Sequence, residues 1–254
     1  MAPYIWLFNL KPLQASCGKT HWVELLTTVR KPPLLRLDEW RSINIVWQRN
    51  GVMRRIGALI FPEFELLDVF GPMEMFGVLE QDYSLELVAE IAGPVASNQG
   101  LSAHATKTID QGTDYDILFV PGGAGTRREV SNSKLLDWIG KASENAEFTL
   151  SVCTGSALLA KAGVLDNRRA TTNKAAFAWV AEQGPNVDWV RQARWVEDGP
   201  FITSSGVSAG MDMALGAIAT MHDIETAEKV AQWCEYSWHQ DKTWDPFAAI
   251  HGLV

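Results

Sequence analysis

Phe148-Thr149-Leu150-Ser151-Val152-Cys153-Thr154-Gly155-Ser156 sets the architecture. Residues 148–152 are apolar or small and predict a buried strand. The strand runs straight into Cys153, and Thr154 to Ala162 predicts a helix that Gly163 ends. A side chain on a sharp strand-to-helix turn is pushed out of the sheet edge, and small residues such as Gly155 and Ser156 let the backbone bend that tightly. At a helix start, free N–H groups and the macrodipole favour a thiolate, which attacks faster than a thiol of about pKa 8.5. A buried, inert thiol is the usual fate of a free cysteine. That reading is kept for Cys17 and Cys234, the latter placed in a helix; for Cys153 the strand–Cys–small-residue context favours function.

Similar punctuation extends outward. Ile56-Gly57-Ala58-Leu59-Ile60-Phe61 predicts a buried strand that Pro62 ends. After Gly71-Pro72, residues 73–79 read as a helix with Pro in its first turn. Residues 84–92 read as a strand, 93–110 as a hairpin excursion, and Ile117-Leu118-Phe119-Val120 as a buried strand closed by Pro121-Gly122-Gly123. Helices are expected over 134–143, 174–182, 209–221 and 225–238, with a hairpin over 187–205 turning at Glu197-Asp198-Gly199-Pro200. Strands alternating with helices predict an α/β protein whose mostly parallel sheet is covered on both faces.

Composition bounds the function. The 254 residues suit one large domain, or a domain with an extension. Apolar residues are 47% and charged residues 20%, ordinary globular values. With 22 Lys and Arg against 30 Asp and Glu, the net charge is −8, which disfavours nucleic acid as a partner. No apolar run approaches the roughly 18–20 residues of a membrane helix, so no membrane partner is expected. Three cysteines are too few for a disulfide framework or a zinc site, and a reducing, cytoplasmic location suits them. Residues 1–52 carry four of the eleven tryptophans, a Lys31-Pro32-Pro33 break and no clear period. The short run Tyr4 to Leu10 has no basic residue ahead of it, so a secretory signal is rejected. Residues 1–52 are expected to be a poorly ordered or loosely docked extension, and 53–254 the domain.

Five separated strings carry a resemblance: Asp68-Val69-Phe70-Gly71-Pro72, Val120-Pro121-Gly122-Gly123, Ser151 to Ser156, Arg168-Arg169-Ala170-Thr171-Thr172, and Gly206-Val207-Ser208-Ala209-Gly210-Met211-Asp212. Together they resemble the ThiJ/PfpI superfamily, over roughly Arg54 to Phe247, with the isocyanide hydratases as the nearest branch. The resemblance implies a class I glutamine amidotransferase-like, flavodoxin-like three-layer sandwich with a nucleophile elbow at Cys153. It implies Cys153 as nucleophile, Asp68 as the acidic residue contacting the thiol, and Thr154 as a hydroxyl near the thiolate. The Gly122–Gly123 turn and the Thr154 N–H fall on the oxyanion-type donor positions. A homodimer, a small-molecule substrate and no cofactor or metal are implied as well.

Read by itself, Asp68 is a carboxylate in apolar company. Burial beside a thiolate would raise its pKa and keep it a proton donor; capping a helix near Pro72, or bonding a turn N–H, explains it equally well. The family position favours the catalytic role. The implied reaction is attack of Cys153 on the terminal carbon of an isocyanide, a thioimidate, and hydrolysis to an N-substituted formamide. Peptidase-like relatives carry His where this chain has Thr154, the glyoxalase and deglycase-like branch usually has Glu at the position of Asp68, and isocyanide hydratases have His where this chain has Asn173. A redox or small-molecule sensor is the non-catalytic alternative. The related domain of AraC-type regulators is followed by a DNA-binding segment, whereas fewer than twenty residues follow Trp238 here. Trp179, Trp233, Trp238 and Trp244 are candidates to line a pocket over the thiol. Met73, Met75 and Phe76 could form a dimer surface or plain core.

Overall fold

A computed structural model describes residues 53–254. The expectation for residues 1–52 lies outside the described residues. In chain order the elements are β1 (Arg54–Leu59), α1 (Leu66–Gly77), β2 (Tyr83–Ala89), β3 (Gly93–Ala96), β4 (Ser102–Ala105), β5 (Lys107–Thr108) and β6 (Ile117–Val120). There follow α2 (Thr126–Glu129), α3 (Ser133–Asn145), β7 (Phe148–Ser151), α4 (Gly155–Lys161), β8 (Arg169–Ala170), α5 (Phe177–Gln183) and β9 (Asp188–Trp189). The chain continues through β10 (Trp195–Asp198), β11 (Phe201–Ser204), α6 (Ala209–Met221), α7 (Ile224–Trp233) and α8 (Pro246–Ile250).

The main sheet has seven strands in the order β10-β11-β7-β6-β1-β2-β5. Every pairing is parallel except β10 with β11. A parallel sheet covered on both faces wants apolar residues all along its inner strands. Accordingly β6 is buried at all four positions, and Ile56, Leu59, Phe119 and Leu150 are fully buried. This is the mostly parallel α/β sandwich the alternation predicted. The first strand, β1, sits between β2 and β6, so the winding reverses there. A crevice opens outside the carboxyl ends of strands at such a switch point. Three segments leave from that edge: Ile60 to Glu65 after β1, Pro121 to Gly125 after β6, and Val152 to Thr154 after β7.

Two helical expectations are corrected. Helix α1 starts at Leu66, well before residue 73, and Pro72 lies inside it. A helix-interior Pro costs about 3 kcal/mol, yet Val69, Met73 and Phe76 form one buried face that outweighs it. Met73, Met75 and Phe76 are therefore core, and the half-exposed apolar residues of α1 are Leu67 and Phe70. The last long helix, α7, stops at Trp233 instead of residue 238. Glu235 follows in the left-handed region at φ 49°, and Cys234 is a half-buried helix end.

Candidate active site

Cys153 turns the chain from β7 into α4 with φ 56°, the left-handed region that costs an L residue roughly 1–2 kcal/mol. The surroundings hold it there. Its N–H lies 3.2 and 3.0 Å from the carbonyls of Ser204 and Ser205. Its own carbonyl accepts from Thr172 Oγ1 at 2.9 Å and Ser156 Oγ at 3.1 Å. Gly155 is required by close approach, since a Cβ there would lie 2.3 Å from the Val120 carbonyl. Gly122 is equally confined, with Thr154 N only 2.6 Å from where its Cβ would be. The ends of β6 and β7 are thus pressed together.

Asp68, in the first turn of α1, is fully buried. Its Oδ2 accepts the Gly122 N–H at 2.9 Å, and Oδ1 has no hydrogen-bond partner among the described residues. The carboxyl neighbours the Cys153 sulfur. Burial pushes Asp68 up to about 7; the Gly122 N–H opposes this, and the Glu65 charge adds to it. The expectation of a raised carboxyl in apolar company is met. The alternative of a turn N–H is met too, because Gly122 supplies one.

The thiol departs from expectation. Burial pushes it up, and the Asp68 charge pushes the same way. Hydrogen bonds from the Thr154 N–H, the Asn173 side chain and the Thr154 side chain pull it down without winning. Helix α4 has only seven residues, and desolvation of a buried sulfur outweighs its dipole. Each group also bears on the other: the Asp68 charge raises the thiol, and a hydrogen bond with Cys153 lowers the carboxyl.

The glycine turn also differs from expectation. The Gly122 N–H is spent on Asp68, and the Gly123 N–H donates to Thr154 Oγ1 at 3.1 Å. Thr126 Oγ1 donates to the Gly123 carbonyl at 2.7 Å and lies 3.1 Å from Thr154 Oγ1. Neither amide points at the sulfur. The donors that do are the Thr154 N–H, the Asn173 amide and the Thr154 hydroxyl. Asn173 is carried by an anchored loop: Thr171 N–H donates to Thr203 Oγ1 at 2.8 Å, and Lys174 Nζ donates to Thr171 Oγ1 at 2.7 Å and the Ala193 carbonyl at 2.6 Å.

Cys153 opens onto a cavity of about 370 Å³, whose wall includes Glu65, Gly123, Arg127, Thr154, Asn173 and Val207. Val207 is a β-branched residue at φ 45°, a strained position of the kind that gathers at functional sites. The tryptophan expectation is corrected: Trp233 and Trp244 are exposed, Trp238 donates to the Asp212 carbonyl at 3.1 Å, and Trp179 lies beneath Arg127. Among the described residues no histidine lines the cavity, and no group of three or more His, Cys, Asp or Glu could hold a metal. Sequence reading had singled out Cys153, Asp68 and Thr154. It noticed Asn173 only as a departure and missed Thr126 and Arg127, whose places depend on loops meeting in space. Thr172 lay inside a quoted string, with no signal that its hydroxyl would reach the elbow.

A mostly parallel sheet flanked by helices, with a cysteine in the left-handed region where a strand passes into a helix, defines a class of α/β proteins. Residues 54–220 match the DJ-1/PfpI family, and the chain belongs to it. The isonitrile hydratase of Pseudomonas putida is 35% identical over 185 residues, 72% of this chain and 78% of that protein. The HTH-type transcriptional regulator CdhR of Pseudomonas aeruginosa is 31% identical over 178 residues, 68% of this chain but 52% of the regulator. A deglycase of Pyrococcus horikoshii is 26% identical over 144 residues, 56% of this chain and 84% of the deglycase. The crystal structure of a ThiJ/PfpI family protein from Pseudomonas syringae has a TM-score of 0.69 at 30% identity, covering 84% of this chain and 85% of that one.

Proposed function

We propose that this chain is a cysteine-dependent isocyanide hydratase. The observation that carries the reading is the buried Asp68 carboxyl beside Cys153, whose residue lines the cavity; the identity to an isonitrile hydratase supports it. When the pair holds one proton, the form with sulfur ionised and Asp68 neutral is the reactive one. The sulfur attacks the terminal carbon of R–N≡C, and the Asp68 proton goes to that carbon. The product is the thioimidate R–N=CH–S–Cys153, with Asp68 left ionised. Asp68 then takes a proton from water as the hydroxide adds to the same carbon, and passes that proton to nitrogen. As the C–S bond breaks, the hydroxyl proton of the adduct returns to Asp68, the thiolate leaves, and R–NH–CHO forms. One water is consumed and the pair returns to its starting charge. The Thr154 N–H and Asn173 amide stabilise the sulfur whenever it carries charge.

The test is formamide production from an aryl isocyanide. The wild type should turn over and Cys153→Ala should lose roughly 10³-fold or more. Intact mass should show a substrate adduct on Cys153 in the wild type alone. Formamide at wild-type rate from Cys153→Ala would overturn the mechanism. The identity to the regulator CdhR favours a second reading, a small-molecule-sensing domain; ligand binding with no turnover of isocyanides, 2-oxoaldehydes or amides would select it. We also infer a homodimer, supported by the half-exposed Leu67 and Phe70 of α1 and Phe247 of α8. Light scattering should give twice the chain mass.

A further inference from the structure

We propose that Arg127 makes the thiol cavity a receptor for substrates whose R group ends in a carboxylate. The inference deepens the isocyanide reading and rests on it for the reaction, not for the recognition. Arg127 and Glu65 are the charged residues on the wall that also holds Cys153. The Arg127 guanidinium lies over the Trp179 ring, 4.2 Å from its centroid. Stacking of that kind fixes the plane of the fork and leaves its edge free to donate. The only hydrogen bond of this guanidinium among the described residues is a long one, 3.4 Å from Nη1 to Thr126 Oγ1.

The adjacent arginine shows the contrast. Arg128 is committed to Glu63 at 3.0 Å, to Glu129 at 2.9 Å and to the Pro62 carbonyl at 2.8 Å. Arg127 has no carboxylate partner among the described residues, in a chain where acids outnumber bases 30 to 22. Glu65 keeps its charge but forms no ion pair with Arg127; its carboxylate is held instead by the amides of Gln99 and Asn98. A positioned guanidinium with open donors matches a carboxylate in two parallel hydrogen bonds. An isocyanide held by its carboxylate at Arg127 can present its other end to the sulfur across the same cavity. With a net charge of −8 the molecule as a whole repels anions, so this attraction has to be local.

The experiment compares an anion with its neutral analogue at the same sulfur, in the full-length protein. Cys153 is alkylated with iodoacetate or iodoacetamide, and the rates are read by peptide mass spectrometry. In parallel, kcat/KM is measured for isocyanoacetate and for its methyl ester. Arg127→Gln should lower the anion-to-neutral ratio about tenfold in both assays, and Arg127→Lys should restore part of it. In the wild type the alkylation ratio should fall with rising salt. That measurement stands even if a variant fails to fold. A ratio that neither Arg127→Gln nor salt changes overturns the proposal. If the wild type hydrates no isocyanide, the reaction fails while the alkylation ratio still decides Arg127.

Discussion

In the proposed reaction Asp68 and Cys153, both buried, share one proton. Asp68 has a folded pKa of about 7 against an ordinary 3.8. Between those values the folded carboxyl holds a proton that the unfolded one has lost. Stability therefore falls as pH rises through that window, and the full penalty, about 4 kcal/mol, is present above pH 7. Asp68→Asn keeps an acceptor for the Gly122 N–H and never ionises. It should melt above the wild type at pH 8 and converge with it near pH 4. The same variant should lose at least about 10²-fold in turnover, since the proposed proton donor is gone. The pH profile gives the matching kinetic test. The wild-type kcat/KM should rise with pH through about 7, where the pair loses its first proton. Asp68→Asn should lack that inflection; a profile flat from pH 5 to 9 in the wild type would contradict the pair. At this scale the meeting of these candidate residues was legible in the sequence. Cys153, Asp68 and Thr154 stood in recognisable strings. The direction of the thiol shift did not, because burial at the sulfur is a property of packed neighbours.

The elbow between β7 and α4 works because β6 ends against it. Gly155→Ala would put a methyl group 2.3 Å from the Val120 carbonyl. Backbone on both sides must then move, so the variant should lose about 1–3 kcal/mol in a denaturant titration. It should also lose turnover out of proportion to the unfolded fraction, since the sulfur moves with the strand end. The inner strands were plain in the sequence, because a fully buried parallel strand is a short apolar run. The start of α1 was hidden by Gly71 and Pro72, which locally announce a boundary. Only the buried face of Val69, Met73 and Phe76 reveals that tertiary packing carries the helix through them. The amide directions of Gly122 and Gly123 were equally out of reach, since they depend on backbone angles that no pattern of side chains records.

Across the whole molecule, one buried acid ties the C-terminal segment to the sandwich, beside backbone hydrogen bonds such as Arg194 N–H to the Lys242 carbonyl at 2.9 Å. Asp212 of α6 accepts from Arg194 Nε at 2.6 Å and Nη2 at 2.5 Å. Its other oxygen accepts from Tyr236 Oη at 3.0 Å and the His239 N–H at 2.9 Å. Asp212 sat in a quoted string, yet its partners come from before β10 and after α7, separations no local reading joins. Because both oxygens are satisfied, the charge is tolerated, and removing it strands a mostly buried guanidinium. Asp212→Ala should cost about 3–5 kcal/mol, whereas Tyr236→Phe, which deletes one hydrogen bond of four, should cost about 1–2. The double variant Arg194→Met, Asp212→Leu removes both charges together. It should recover a large part of the loss seen for Asp212→Ala, as urea midpoints would show. If the double variant were as unstable as Asp212→Ala, the pair would be acting through packing, and the C-terminal segment would owe its place to apolar contacts and to backbone bonds such as Asp245 N–H to the Gln192 carbonyl at 2.8 Å.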